Sequence, residues 1–211
     1  ELIIVDTGSD DSTVEIAKKF TDKVYHFTWC NDFSAARNEA LKHASGEWYM
    51  GLDADEIFMD TDDIISFFRS GDYMKFSSAS FVIRNYSDEN KTDASDFDAI
   101  RMVRRADDLH YEGVIHEHFV SSQLNMQSCA RLASVAEHYG YVVDGGVLDK
   151  KTERNRELLY SRFEERKNEL VKLGKTQGFV TYDDLATSLK GLDLDSNALD
   201  ELYNVFNENN I

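Results

Sequence analysis

Trp48-Tyr49-Met50-Gly51-Leu52-Asp53-Ala54-Asp55-Glu56 is the stretch that decides how this chain folds. A short apolar run with two aromatics reads as a buried strand, and it stops at two aspartates one residue apart. Carboxylates at the end of such a strand sit where open α/β sheets bind ligands. Two oxygen donors on one short turn suit a hard divalent cation, Mn²⁺ or Mg²⁺, and such a cation suits a diphosphate. The spacing alone says little, because Asp-x-Asp occurs four times, at Asp53/Asp55, Asp60/Asp62, Asp96/Asp98 and Asp193/Asp195. Only the first pair directly follows a buried-strand signal.

On the N-terminal side the pattern predicts a strand at 2–5 ending at Asp6, a turn-rich segment at 7–12, a helix reaching about residue 19, and a strand at 23–27. Phe33, Ala36, Ala40, Leu41 and Ala44 mark one face of a second helix, closed by Gly46. Strand, helix, strand, helix, strand is the signature of an α/β sheet with parallel members. On the C-terminal side a helix is expected at 62–69, then strands at 80–86, 100–105, 111–120 and 131–141, with a polar connection at 87–98. A charged helical pattern runs from about 148 to 173, and glycines at 174 and 178 break it. Short helices at 182–188 and 196–207 follow, with Thr181/Asp184 and Ser196 as caps.

The 211 residues allow one ordinary domain and a small second one. The divisions expected are 1–147, a helical connector at 148–173, and a small acidic helical domain at 174–211. A net charge of −17 repels phosphate backbones and anionic membranes. No direct nucleic-acid binding is therefore expected, and an anionic ligand needs a metal or local arginines. No apolar stretch is long enough to cross a bilayer. Two cysteines, Cys30 and Cys129, make no disulfide framework; both are expected free and buried, in a reducing compartment. The setting expected is cytoplasmic, with the inner face of the membrane as a peripheral station.

Four segments in order resemble the family 2 glycosyltransferases with the GT-A fold. They are Ile3-Ile4-Val5-Asp6-Thr7-Gly8-Ser9, then Asn31-Asp32-Phe33-Ser34-Ala35-Ala36-Arg37-Asn38, then Leu52-Asp53-Ala54-Asp55-Glu56, then Tyr111-Glu112-Gly113-Val114-Ile115-His116-Glu117. His138-Tyr139-Gly140-Tyr141 adds a fifth. The resemblance covers about residues 1–160 and is closest to a bacterial subgroup that includes peptide S-glycosyltransferases and enzymes with helical-repeat tails. It implies a Rossmann-like mixed sheet flanked by helices, and inverting, metal-dependent transfer of a hexosyl group from a nucleotide-sugar, a UDP-sugar by preference. The acceptor is left open among glycan, peptide and lipid-linked classes.

The same resemblance assigns roles. Asp6 matches the position that binds the nucleotide base or ribose, and Arg37 and Asn38 match the segment lining the donor site. Asp53 and Asp55 match the metal motif, Asp53 reaching either ribose or metal, and His138 matches a late histidine ligand. Inversion needs a base for the acceptor's proton; Glu117 is the first candidate and His116 the second. If 111–120 is one regular strand, His116 and His118 share a face and Glu117 takes the other. Arg101, Arg104 and Arg105 precede that strand and one is expected to hold a phosphate. Alternation does not choose between the faces, and Arg104 is named as the candidate. A rival reading places zinc on His116, His118 and His138.

Two departures stand beside the resemblance. Family members carry a strand and helix ahead of what corresponds to residues 2–6, so an open strand edge is expected there. The tail, from Leu170 through Leu185 and from Leu194 to Ile211, resembles region 1.1 of bacterial primary sigma factors, a compact acidic helical domain. The alternative function this raises is a non-catalytic transferase scaffold that presents an acidic helical module to RNA polymerase or another protein.

Overall fold

The computed structural model describes residues 1–88, 90–142, 145–190, 192, 194, 196–209 and 211. The Asp193/Asp195 pair and the side chain of Ser196, expected as a cap, lie outside the described residues. The chain runs through β1 (Ile4–Asp6), α1 (Thr13–Ala17), β2 (Val24–His26), α2 (Phe33–His43), β3 (Trp48–Met50), β4 (Glu56–Phe58) and α3 (Asp62–Arg69). It continues through β5 (Ser78–Tyr86), β6 (Ala94–Arg104), β7 (His110–Glu112), β8 (His118–Val120) and β9 (Cys129–His138), then α4 (Gly145–Gln177), α5 (Tyr182–Ser188) and α6 (Ser196–Glu208).

β1 and β2 pair in parallel. The main sheet has the order β3-β6-β5-β9-β4, with β5 and β9 parallel and the other pairs antiparallel. This is a mixed sheet flanked by helices with a helical C-terminal part, the GT-A-like class expected. Among the described residues β1 has a strand partner on the β2 side alone. The Glu1 carboxylate accepts from the Ser45 and Gly46 amides just ahead of β3, and from Lys23.

The main sheet is covered on both faces. On one, Ile64 and Phe67 of α3 pack on Ala79, Phe81, Ile83, Met102, Leu132 and Ala136. On the other, Leu41 of α2 meets Val103, Leu109, Tyr111 and Phe119. The alternation of Met102 and Val103 between these two cores follows from the two-residue period of a strand.

Several expectations are corrected. The connection at 87–98 is strand from Ala94, because Arg84 of β5 forks onto Asp96 of neighbouring β6, and Arg131 of β9 forks onto Asp98 of β6 across the intervening β5. Opposite charges facing each other make a polar segment hold a ladder, and they commit both of those aspartates to structure. The 111–120 strand is two strands, β7 and β8, around a turn in which Gly113 and His116 take positive φ (102° and 56°). Strand β4 was not expected. Helix α2 ends at Ala44 in extended conformation rather than at Gly46. The break expected over 174–178 falls at its end and not at Gly174: α4 continues to Gln177, and Gly178 at φ 87° follows it.

Gly174 is a contact rather than a break. A Cβ there would collide with Ile211 and stand 3.0 Å from Val180 Cγ2. The helical part closes around Phe163, Leu170, Leu202 and Phe206, so the second half of α4 shares one core with α5 and α6. Thr181 and Asp184 form the expected capping box. Cys30 is exposed rather than buried, and both cysteines are free.

Candidate functional site

The register between β4 and β9 builds the site. The turn after β3 sends the chain back antiparallel to β9 with Glu56 opposite His138, and Tyr139 N–H donates to Asp55 O at 3.1 Å. Asp55 Oδ2 is thereby set 3.2 Å from His138 Nε2. The other ring nitrogen, Nδ1, lies 2.6 Å from Asn85 Oδ1, and Asn85 is the register partner of His138 on β5. With Nδ1–H donated to that amide oxygen, a neutral ring turns its Nε2 lone pair toward the carboxylate, whereas a protonated ring donates from Nε2 to it. In the neutral form the two acceptors face each other at a distance that suits a shared cation. Gly140 keeps the space open: a Cβ there would stand 2.5 Å from His138 Nε2 and collide with Asp55.

Beside this pair lies an ionic network. Arg37 on α2 donates from Nε to Glu117 Oε1 (2.5 Å) and from a terminal nitrogen to Asp53 Oδ1 (2.6 Å). Arg101 reaches Asp53 Oδ2 (3.2 Å) and Glu56 Oε1 (2.6 Å). Burial pushes the Asp53 carboxyl up, but the two guanidiniums outweigh it and hold it below the usual carboxylate range. Burial also raises Glu56, and Arg101 only partly offsets that. Arg101 falls where the β5–β6 register slips by one residue, between the pairs Ala79↔Met102 and Ser80↔Ile100. Bulges of this kind re-aim side chains beside functional sites. The Arg37 guanidinium also sits over the Tyr111 ring at 5.7 Å.

The network settles where the expected residues stand. Asp55 and His138 come together, and Arg37, Asp53 and Glu117 form a second group. Asp53 is held by two arginines, one on each carboxylate oxygen. Asn38 clamps the backbone of Tyr111, donating to its oxygen (2.9 Å) and accepting from its amide (2.7 Å), and so anchors β7 to α2. Arg104 lies on the α3 face, donating to Tyr73 O and packing over Trp48, so Arg101 is the arginine at the site. His116 is exposed in the turn between β7 and β8. Asp6 is a buried turn carboxylate that accepts from the Gly8 and Ser9 amides, with His26 at 3.7 Å. Those hydrogen bonds, that of the Ser9 hydroxyl first, hold its pKa down. Among the described residues no three His, Cys, Asp or Glu side chains converge, so the zinc set does not form.

Sequence reading named Arg101 only as one of three candidate arginines, and missed Glu56, Asn85 and Gly140. Glu56 and Gly140 lie inside quoted motifs; Asn85 carries no local signal. A cleft of about 390 Å³ opens next to the pair, walled by Asn85, Tyr86, Asp93, Ser95 and Tyr141.

Comparison with known proteins follows the same division of the chain. Residues 1–96 match the family model described as Glycosyl transferase family 2, and residues 163–211 match Sigma-70 factor, region 1.1. A TPR repeat-containing protein of Synechococcus elongatus is 33% identical over 150 residues, covering 67% of this chain and 36% of that protein. The SPbeta prophage-derived glycosyltransferase SunS of Bacillus subtilis is 29% identical over 157 residues, covering 74% of this chain and 37% of the relative. Glycosyltransferase SunS of Bacillus phage SPbeta matches with the same figures. The chain spans just over a third of the length of these curated relatives. The family match and the SunS relatives support a glycosyltransferase. No helix of the described residues is long and apolar enough to cross a membrane.

Proposed function

We propose that the site transfers a sugar from a nucleotide-sugar to an acceptor hydroxyl, thiol or amine, with inversion and with the help of Mn²⁺ or Mg²⁺. The observation that supports this most is the Asp55–His138 pair, Oδ2 and Nε2 3.2 Å apart with the ring fixed from behind by Asn85. A carboxylate oxygen and an imidazole lone pair fit a divalent cation such as Mn²⁺, and the amide behind the ring supplies the outer contact such sites use. When bound, the metal supplies charge neutralisation for the departing diphosphate.

The chain's own residues account for the rest. Arg37 and Arg101 fix Asp53 in one orientation, ready to accept from the donor's ribose hydroxyls. Glu117, one guanidinium away from Asp53, accepts the acceptor's proton. The acceptor atom forms a bond to the anomeric carbon as the bond from that carbon to the phosphate oxygen breaks, and the electron pair leaves with the diphosphate. A single displacement inverts the anomeric centre. The cleft beside Asn85 and Tyr141 gives the acceptor its approach.

Calorimetry with UDP and UDP-sugars, with and without Mn²⁺, tests the reading. Metal-dependent binding that disappears in Asp55→Asn and His138→Ala is the result expected. Binding unaffected by either change overturns the metal assignment.

A second reading has its own observation, the sigma-like helical part with its separate core. On this reading the acidic module docks to RNA polymerase and the transferase fold is a scaffold. A pull-down with core polymerase, retained after removal of residues 163–211, would eliminate it.

A further inference from the structure

The first turns of α4 lie against the candidate site. Lys151 Nζ stands 3.4 Å from Gly140 O and 5.3 Å from the centre of the Tyr141 ring. That ring meets His138 edge-on, at 5.4 Å. Gly140 is the residue whose Cα sits directly against Asp55 and His138. Standard backbone dimensions therefore put the Lys151 ammonium within roughly 10 Å of the Asp55 carboxylate. Three residues on, and so on the same helix face, the Arg154 guanidinium lies 5.2 Å from the centre of the Phe33 ring. Phe33 opens α2, one turn ahead of Arg37. One face of α4 thus spans from the His138 side of the site to the Arg37 side, with a cation at each end.

Apart from Arg104, which lies on the α3 face away from the site, the cations already described differ from these two. Arg37, Arg101, Lys91, Arg84 and Lys23 are each held by carboxylates. Among the described residues Lys151 and Arg154 have no carboxylate partner. Aromatic rings, the Gly140 carbonyl and the Asn155 amide hold them. A ring face positions a cation without neutralising it. In a chain of net charge −17, two un-neutralised cations facing a site rich in carboxylates mark a place for an anion. Their spacing along one helix turn suits a diphosphate better than a single carboxylate.

We propose that Lys151 and Arg154 bind the diphosphate of the nucleotide donor from the α4 side, opposite the Asp55–His138 pair. The proposal rests on the reading of that pair as the diphosphate end of the donor site. It adds a contribution from a helix that lies outside the matched residues 1–96.

The experiment measures UDP and uridine binding in Mn²⁺ by calorimetry, for the chain and for Lys151→Met, Arg154→Met and the double variant. Arg162→Met, farther along α4 and paired with Glu165, removes the same charge elsewhere. Each single change is expected to weaken UDP about tenfold, and the double change more. Uridine binding, Arg162→Met and thermal melting are expected to stay unchanged, with Lys151→Arg retaining affinity. UDP affinity within twofold in the double variant overturns the proposal, as does an equal loss for uridine, which points to packing alone. If the unaltered chain binds uridine and not UDP, the diphosphate reading falls and the proposal with it.

Discussion

Arg37 and Glu117, 80 residues apart in sequence, are joined by a 2.5 Å hydrogen bond between Nε and Oε1, and the same guanidinium holds Asp53. Both Arg37 and Glu117 are largely buried, with side chains 17% and 15% exposed. Removing the guanidinium leaves the buried Glu117 carboxylate without its cation and Asp53 with Arg101 alone. Arg37→Ala is expected to destabilise the fold by about 3 kcal/mol or more. Arg37→Lys loses the fork and so one of its two partners, with a smaller loss of stability. Urea denaturation of the three proteins checks the order; equal midpoints would show that the network carries no stability.

The Asn85 contact behind His138 predicts a graded loss of metal affinity. Asn85→Ala frees the ring to turn and releases the tautomer, and is expected to weaken Mn²⁺ binding about 10- to 100-fold. Gly140→Ala inserts a methyl between the two acceptors and is expected to do at least as much. Titration followed by Mn²⁺ electron paramagnetic resonance reads both. Unchanged affinity in the two variants would show that His138 is no ligand.

Local patterns were legible in the sequence where one element explains them. Helix α3 has the bounds that its sequence implies, and the Trp48 strand forms where its composition demands, though it ends at Met50, short of the Asp53–Asp55 turn. Alternation placed Arg101 and Arg104 on opposite faces, yet could not say which face is the site, because that depends on α2 packing over one side and α3 over the other. The contacts that complete the site are matters of register. Asp55 meets His138 only because Glu56 lies opposite it on β9, and Asn85 meets it only through the β5–β9 pairing. The split of 111–120 was hidden in His116, a residue of ordinary strand character held at positive φ by the turn.

Gly51 makes a separate prediction about packing. A Cβ there would stand 2.7 Å from the Tyr111 hydroxyl and 3.5 Å from the Tyr49 ring. Gly51→Ala is expected to cost about 1–3 kcal/mol through overpacking. Tyr111→Phe removes the clashing oxygen, so the double variant is expected to be more stable than the sum of the single changes implies. Additive losses in chemical denaturation would place the strain elsewhere.

The last prediction concerns acid. Glu137 is buried on the face of β9 opposite His138, where it accepts from Lys91 Nζ at 2.7 Å, from Tyr86 at 2.9 Å and from Tyr139. The Lys91 ammonium foremost, then the Tyr139 hydroxyl, hold its pKa down to about 2. An unfolded glutamate titrates near 4.3. A carboxyl whose pKa is lower in the folded state adds stability that is complete above the unfolded value and vanishes as pH falls through the folded one. The contribution is therefore full above about pH 5 and lost between about pH 4 and pH 2. Glu137→Gln removes the titration and leaves Lys91 without its carboxylate. Its melting temperature at pH 7 is expected to lie below that of the unaltered chain, and the gap is expected to close as pH falls toward 2. Melting curves recorded across that range decide the matter, since a gap that stays constant with pH would mean the carboxylate's charge contributes nothing.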